Sequence, residues 1–180
     1  MASLILHPAD ADWHPDCIDD LHSHLQSIGF IGEVLPENFS QGFLIGDKFL
    51  TLATFMGCAP AINLRPDIKH PDHEFCSIRL RLETEVPYLF VAEKYSVPRC
   101  PHCRAAVKVD IENIPAETQM TCDQCSESTP LHALNWRRTA GYARCFIEIT
   151  GVYPQEALPT EALLNVLQKY SDCEWRYFYN

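Results

Sequence analysis

The sequence predicts an α+β fold: one mostly antiparallel sheet, two helices packed on it and a small inserted module. Several stretches of the 180-residue chain alternate apolar and polar residues, as half-buried strands do, and two others repeat apolar residues at helical spacing. These stretches follow one another as strand, helix, several strands, inserted module, strand, helix and strand. With 47% hydrophobic residues, the chain can bury a core of ordinary size.

An apolar strand at residues 3–6 is the first predicted element, and a helix of about 14 residues follows it. Asp12 or His14 is expected to cap this helix, and Pro15 suits its first turn. Gly29 suits the position just after its end. The apolar face of the helix is predicted to consist of Ile18, Leu21, Leu25 and Ile28.

Two antiparallel hairpins are predicted next. The dipeptide Gly46-Asp47 lies between two apolar stretches, 42–45 and 48–55, and such a dipeptide is typical of a two-residue hairpin turn. The alternating stretch 75–82 is followed by a turn and by the stretch 88–95, which is expected to return as its antiparallel partner.

A strand, a helix and a strand are expected in the last third of the chain. Residues 144–152 alternate as a strand does, whereas residues 131–141 show no regular pattern. Thr160 is expected to cap the second helix. The aromatic row at 175–179 is expected to pack under a helix rather than to form a stacking platform for bases.

Four cysteines in two pairs carry the clearest chemical signal of the sequence. Cys100-Pro101-His102-Cys103 and Cys122-Asp123-Gln124-Cys125 are two Cys-x-x-Cys motifs separated by eighteen residues. Each motif can present two thiolates from one tight turn, and the loop between them lets the two turns face each other around a metal ion. Over about residues 98–130 the pattern resembles a zinc ribbon. The resemblance implies one structural zinc ion per chain, held by Cys100, Cys103, Cys122 and Cys125.

The segment between the two motifs has too few apolar residues to offset the entropy lost when it becomes ordered. A structural zinc site contributes an apparent ~10–16 kcal/mol, which is comparable with the ~5–15 kcal/mol stability of a whole domain. Zinc-ribbon motifs often place Gly just after the second Cys, where a positive φ is useful. In this chain Arg104 and Ser126 occupy those two positions.

Three other interpretations of these cysteines stay open. Cys100-Pro101-His102-Cys103 is also the active-site motif of DsbA-type thiol oxidoreductases, in which it opens a helix, but residues 107–111 alternate as a strand does. Iron bound as in rubredoxin uses the same four thiolates. Structural disulfides are disfavoured because the cysteine count of nine is odd and nothing marks the chain for export.

Two histidine pairs and one further cysteine are weaker candidates. His22 and His24 lie on the predicted first helix, where residues two apart point in different directions, so we expect solvated side chains that do not chelate one ion. His70 and His73 lie among carboxylates and could form a catalytic metal site. Cys58 lies in a Gly-containing turn that could expose a nucleophile, although a small residue filling that turn is the simpler interpretation.

The net charge of −10 argues against a polyanionic partner. Residues 94–144 hold seven basic and five acidic residues, but four thiolates around one Zn²⁺ add two negative charges to that segment. Nucleic-acid binding is therefore disfavoured. No stretch is long enough to span a membrane, and nine cysteines without an export signal predict a cytoplasmic protein.

We expect an α+β domain formed by residues 1–97 and 131–180, with a zinc-ribbon insertion at 98–130. Because no catalytic constellation is evident, the first hypothesis is a protein-interaction or adaptor module whose partner is another protein. The second is a small metal- or cysteine-dependent enzyme that uses His70, His73 or Cys58. The third is a nucleic-acid-associated protein.

Overall fold

A six-stranded antiparallel sheet forms the centre of the fold, and the predicted α+β class is confirmed. The computed structural model describes residues 2–36, 39, 41–56, 62–67, 74–82, 85–111, 114–153 and 156–180. In spatial order, the strands of the central sheet are β12 (Trp175–Tyr179), β1 (Ala2–Pro8), β10 (Phe146–Val152), β5 (Ser77–Arg81), β3 (Phe43–Ile45) and β2 (Ile31–Val34).

Three helices pack on one face of this sheet: α1 (Ile18–Ser27), the short α2 (Phe49–Leu52) and α3 (Glu161–Ser171). The sequence predicts α1 and α3 but not α2. Because successive residues of a strand point to opposite faces, Leu4 and Leu6 of β1 enter the core beneath the helices while Ile5 enters a second cluster on the other face. The sheet is therefore buried on both sides.

The two long helices differ in how well their starts could be predicted. Thr160 caps α3 as expected, since its Oγ1 accepts a hydrogen bond from the N–H of Leu163 at 3.3 Å. Helix α1 is shorter than predicted: its N-cap is Cys17, without a side-chain bond, rather than Asp12 or His14. The reason is tertiary, because the ring of Trp13 packs against Trp175 and Tyr170, at 5.7 and 6.1 Å between centroids.

The predicted hairpin around Gly46-Asp47 is wrong. Strand β3 pairs with β2 and β5, and the chain after Gly46 forms α2 and then β4 (Ala53–Phe55), which pairs with β11 (Ala157–Pro159). The backbone of this segment instead forms hydrogen bonds with the residues that follow α1: the N–H of Gly46 donates to Phe30 O and that of Lys48 to Gly29 O. A Cβ at Gly46 would lie 2.2 Å from Gly29 O, so this close approach requires glycine.

A pair of strands lies on the face of the central sheet opposite to the helices. Strand β6 (Tyr88–Val91) pairs with β9 (Ala140–Ala143), so the predicted pairing of 88–95 with 75–82 is wrong. Tyr88 and Phe90 of β6 pack on Phe146 of the central sheet, at 5.0 and 5.6 Å between ring centroids. The other two residues of β6, Leu89 and Val91, face away from the sheet. Because β6 is apolar on both faces, it lies between two layers.

The layer beyond β6 is a segment that we call the cysteine module, comprising residues 98–111 and 114–139. It contains the short hairpin of β7 (Gln119–Thr121) with β8 (Ser128–Pro130), followed by one turn of 3₁₀ helix. Its small core consists of Cys100, Val107, Cys122, Leu131, Leu134 and Trp136, with Leu89 and Val91 packed against it. The division of the chain at 98 and 130 stays a prediction, but residues just beyond 130 contribute to this core.

Within the described ranges, no helix is long and apolar enough to cross a membrane.

Candidate metal centre

The first cysteine motif is a tight turn closed by two backbone hydrogen bonds. The N–H of Arg104 donates to Cys100 O, and the N–H of Cys100 donates to Ala105 O, both at 2.9 Å. The backbone of Arg104 has φ 64°, in the left-handed region. These bonds direct the side chains of Cys100 and Cys103 to the same side of the turn, toward the second motif.

The second motif repeats this geometry. The N–H of Ser126 donates to Cys122 O at 2.8 Å, and the N–H of Cys122 donates to Glu127 O at 2.9 Å. Ser126 has φ 61°. A positive φ is therefore present after both motifs, where the sequence pattern indicates it, although neither residue is the glycine that adopts this conformation without strain.

The four thiols converge on one point. All four Sγ atoms lie within 4.8 Å of one another, and across the two motifs Cys100 Sγ is 3.7 Å from Cys125 Sγ and Cys103 Sγ is 3.5 Å from Cys122 Sγ. Four sulfurs at the corners of a tetrahedron, each about 2.3 Å from a central zinc ion, are about 3.8 Å apart. The four cysteines are thus positioned to bind a metal ion.

The backbone around the thiols also stabilises the thiolate form that a metal requires. Hydrogen bonds from the N–H groups of Gln124 and Cys125 lower the pKa of Cys122 to about 7. The N–H of Glu127 likewise lowers the pKa of Cys125, but burial and the neighbouring thiols outweigh it and raise that pKa to about 12. The backbone of the second motif therefore stabilises the thiolate form of Cys122.

The site lies at the surface but has a buried floor. Cys100 and Cys122 are 1% and 3% exposed, whereas Cys103 lies on the outer rim. Beneath them Trp136 is buried, and its Nε1–H donates to the carbonyl of Leu131 at 3.0 Å. The cysteines thus form part of the core of the module as well as the candidate metal centre.

A small polar network joins the cysteine module to β9. The hydroxyl of Tyr142 donates to Glu117 Oε1, and His132 Nε2 lies 3.3 Å from Glu117 Oε2. The ring of His132 stacks on that of Tyr142 at 4.2 Å between centroids. The hydrogen bond from Tyr142 lowers the pKa of Glu117, and burial together with Glu117 raises the pKa of Tyr142 to about 12. No sequence motif indicates this network, because its members are far apart in the chain.

The other candidates from the sequence do not join this site. His22 and His24 lie on α1, and each ring stacks on an aromatic ring, of Phe43 at 4.6 Å and of Tyr170 at 4.4 Å. The two rings thus pack against different partners; each residue is partly exposed, but its Nε2 atom is buried, so both side chains are less solvated than expected. Cys58, His70 and His73 lie outside the described residues.

No protein family, curated protein or solved structure matches the chain. Its function is therefore argued from the geometry of its own residues.

Proposed function

We propose that the four cysteines bind one zinc ion per chain, and that the segment is a zinc ribbon in which the metal has a structural role. The observation that carries this proposal is the convergence of four sulfurs, with cross-motif distances of 3.5 and 3.7 Å that are close to the edge of a zinc–thiolate tetrahedron. Four thiolates saturate a tetrahedral zinc ion, which leaves no position for water or substrate.

The geometry favours zinc binding over the two redox interpretations. In DsbA-type enzymes the first cysteine motif opens a helix, whereas here Arg104 turns the chain with a positive φ and Ala106 forms a β-bridge with Arg99. Disulfides have a sulfur–sulfur length of about 2.05 Å, much shorter than the cross-motif distances. Iron fits the same four thiolates, so the identity of the metal is decided by experiment.

We propose further that the protein acts as an interaction or adaptor module whose partner is another protein. A saturated zinc ion supplies no catalysis, which supports a binding role. Two apolar side chains are also exposed where the chain enters the cysteine module: Val97 is 52% exposed and Tyr95 is 36% exposed. A photo-crosslinking residue at position 97 should yield one discrete crosslinked partner, whereas the same residue at the exposed position of Ile18, on α1, should not. Equal labelling from both positions would contradict this surface.

The zinc proposal is tested by elemental analysis of protein purified without chelator. One equivalent of zinc per chain, released at a lower chelator concentration from a Cys103→Ser variant than from the parent protein, is the expected result. Iron in place of zinc, or absence of metal together with reactive thiols at Cys100 and Cys103, would overturn the proposal. A second equivalent of metal, lost on replacing His70 and His73 by Ala, would support the alternative of a small metal-dependent enzyme.

A further inference from the structure

Two open cavities meet at the last turn of the cysteine module, which contacts the central sheet. One has a volume of about 890 Å³ and the other of about 1050 Å³. Both are lined by Arg137, Arg138 and Tyr177, so the turn that carries the two arginines separates them. The first volume lies within the range typical of small-molecule sites, and the second lies slightly above it. None of the cysteines of the candidate metal centre lines either cavity.

The turn has a backbone conformation for which arginine is a poor choice. The N–H of Thr139 donates to Trp136 O at 3.0 Å, and the two central residues, Arg137 and Arg138, have φ 53° and 62°. Two successive positive φ angles are the mark of a type I′ turn, which strongly favours Asn and Gly. A side chain at each position brings its Cβ close to a carbonyl oxygen and costs stability. Strained residues of this kind cluster at functional sites.

The two arginines also carry charge that no carboxylate of the described residues neutralises. Among the described residues, neither Arg137 nor Arg138 has a carboxylate at ion-pair distance, in a chain whose net charge is −10. Both are exposed, and the guanidinium of Arg138 lies 4.8 Å above the centre of the Tyr177 ring, which holds it in place. Arg176 lines the first cavity together with Asp12 and Glu117, and Lys94 lines the second together with Glu93, so with the two arginines of the turn the cationic side chains outnumber the carboxylate side chains in each cavity.

The wall of the first cavity adds a neutral hydrogen-bond acceptor. Burial, opposed by the hydrogen bond to Pro8 and aided by the nearby Arg176, lowers the pKa of His7 to about 4. The ring is therefore uncharged at neutral pH. Its Nδ1 lies 2.9 Å from Pro8 O, so Nδ1 carries the proton and Nε2 is left as an acceptor. A Cβ at residue 141 would lie 2.8 Å from Nε2 and 2.7 Å from the Phe178 ring, so only glycine can pack this closely against the His7 ring.

We propose that the Arg137–Arg138 turn binds the phosphate or carboxylate group of a small organic anion, whose planar part lies in an adjacent cavity against tyrosine rings. Arginine side chains bind oxyanions through charge-assisted, often bidentate hydrogen bonds, and tyrosines supply the stacking surface. Tyr177 is shared by both cavities, and Tyr153 and Tyr179 line the second.

The charge of the protein decides in favour of a small ligand over a nucleic-acid strand. A strand would extend its phosphates along the acidic surface of the chain and be repelled by it. A ligand with one or two negative charges interacts mainly with the turn itself, because charges further away than the Debye length of ~8 Å are screened at physiological salt. This proposal does not depend on the identity of the metal at the cysteines.

The test uses the metal-loaded, full-length protein and phenyl phosphate as the probe, followed by the backbone amide signals in NMR spectra. We expect saturable shifts centred on Arg137, Arg138 and Tyr177, weaker binding of inorganic phosphate, and no saturable shifts with uncharged phenol. An Arg137→Asn/Arg138→Gly double variant introduces residues that a type I′ turn favours, so it should fold with a raised Tm. Because it lacks both guanidinium groups, it should bind phenyl phosphate about tenfold or more weakly.

A matched control removes the same number of charges elsewhere. Arg65 and Lys169 are exposed and lie outside both cavities, so an Arg65→Asn/Lys169→Asn variant should bind as the parent protein does. The proposal is overturned if phenyl phosphate shifts no signals at the turn, or if the two double variants bind equally well. Tighter binding of a ten-residue oligothymidylate than of phenyl phosphate would overturn it in favour of a nucleic-acid strand.

Discussion

Replacing Cys103 by serine separates the contribution of the metal from that of packing. Cys103 is exposed, so the substitution removes a candidate ligand without opening a cavity. If the apparent ~10–16 kcal/mol of a structural zinc site is shared equally by four thiolates, the loss of one weakens the site by about 3–4 kcal/mol. Since each ~1.4 kcal/mol corresponds to a factor of ten in an equilibrium constant, local opening of the module should become roughly 100 to 1000 times more frequent.

Amide hydrogen exchange measures this opening at defined hydrogen bonds. The N–H of Leu131 donates to Thr118 O at 2.9 Å and that of His132 to Ala116 O at 3.0 Å, both within the cysteine module. These amides should exchange about 100 to 1000 times faster in Cys103→Ser. Amides that join β1 and β10 should keep their protection, because the core beneath the helices contains no residue of the module.

The matched control replaces another exposed cysteine. Cys17 is far from the candidate metal centre in sequence and is the N-cap of α1, where serine is a better capping residue. Cys17→Ser should therefore leave exchange in the module unchanged and slightly protect the start of α1. Equal protection of the module amides in Cys103→Ser and in the parent protein would refute the structural role of the metal.

Four other substitutions test the backbone and the electrostatics of the fold. Replacing Arg104 and Ser126 by glycine should raise the Tm of the metal-loaded protein, because a residue with a side chain loses ~1–2 kcal/mol of stability at each positive φ. The greater freedom of glycine in the unfolded chain cancels only part of that gain. A lower Tm would contradict the observed turn geometry. Arg81→Met should lower the free energy of unfolding by about 3 kcal/mol, because the Glu148 carboxylate, which is 4% exposed, loses its partner. Glu148→Gln should lower it by less, because the Arg81 guanidinium that is left without a partner is 43% exposed and can be hydrated. Denaturant unfolding measures both effects, and the reverse order would show that the desolvated charge is not the carboxylate.

Elements with local causes could be predicted from the sequence. Helix α3 has both a capping Thr160 and apolar residues at helical spacing, and it begins where this pattern predicts; the distant bonds from Thr160 to Leu52 O, at 2.9 Å from Oγ1 and 3.0 Å from the N–H, agree with that start. The grouping of the four cysteines also has a local cause, because each Cys-x-x-Cys turn fixes two thiols and the pairing of the turns leaves little further choice. Predictions of this kind depend on residues within one or two turns of each other.

Strand pairing could not be predicted because its causes lie far apart in the chain. Strand β6 pairs with β9, about fifty residues later, although β5 is its nearer neighbour along the sequence. Nothing in the sequence of β6 distinguishes the two partners, since all four of its residues are apolar. The same holds for β4, whose partner β11 lies about one hundred residues later. Such pairings are decided by the packing of layers, which a local pattern does not record.

The turn at Arg137 and Arg138 was missed for a different reason. A type I′ turn is recognised in a sequence by Asn-Gly or a similar pair, and Arg-Arg gives no such signal. Local preference and the folded conformation disagree at these two residues. Such disagreements are expected where function rather than stability determines the residue type. The failure of the sequence rule is thus itself an argument for the proposed anion site.

The candidate metal centre and the proposed anion-binding turn share one residue, Trp136. Loss of the metal should therefore affect the turn through this residue. Its indole packs in the small core with Cys100 and Cys122, and its carbonyl accepts hydrogen bonds from the N–H and Oγ1 of Thr139, at 3.0 and 2.6 Å. If the metal orders this core, then its removal should release Trp136 and with it the geometry of the two arginines. We therefore expect metal-free protein, with the chelator dialysed away, to bind phenyl phosphate as weakly as the Arg137→Asn/Arg138→Gly variant does.

The alternative is that the central sheet holds the turn by itself. The N–H of Tyr179 in β12 donates to Arg138 O at 3.2 Å, and the ring of Tyr177 lies under the guanidinium of Arg138. These two contacts do not involve the cysteines or the small core around them. If metal-free protein keeps the affinity of the metal-loaded form while its module amides exchange rapidly, then the sheet alone is sufficient, and the anion site and the metal site are independent. If both properties are lost together, Trp136 couples them, and metal occupancy controls ligand binding without any contact between metal and ligand.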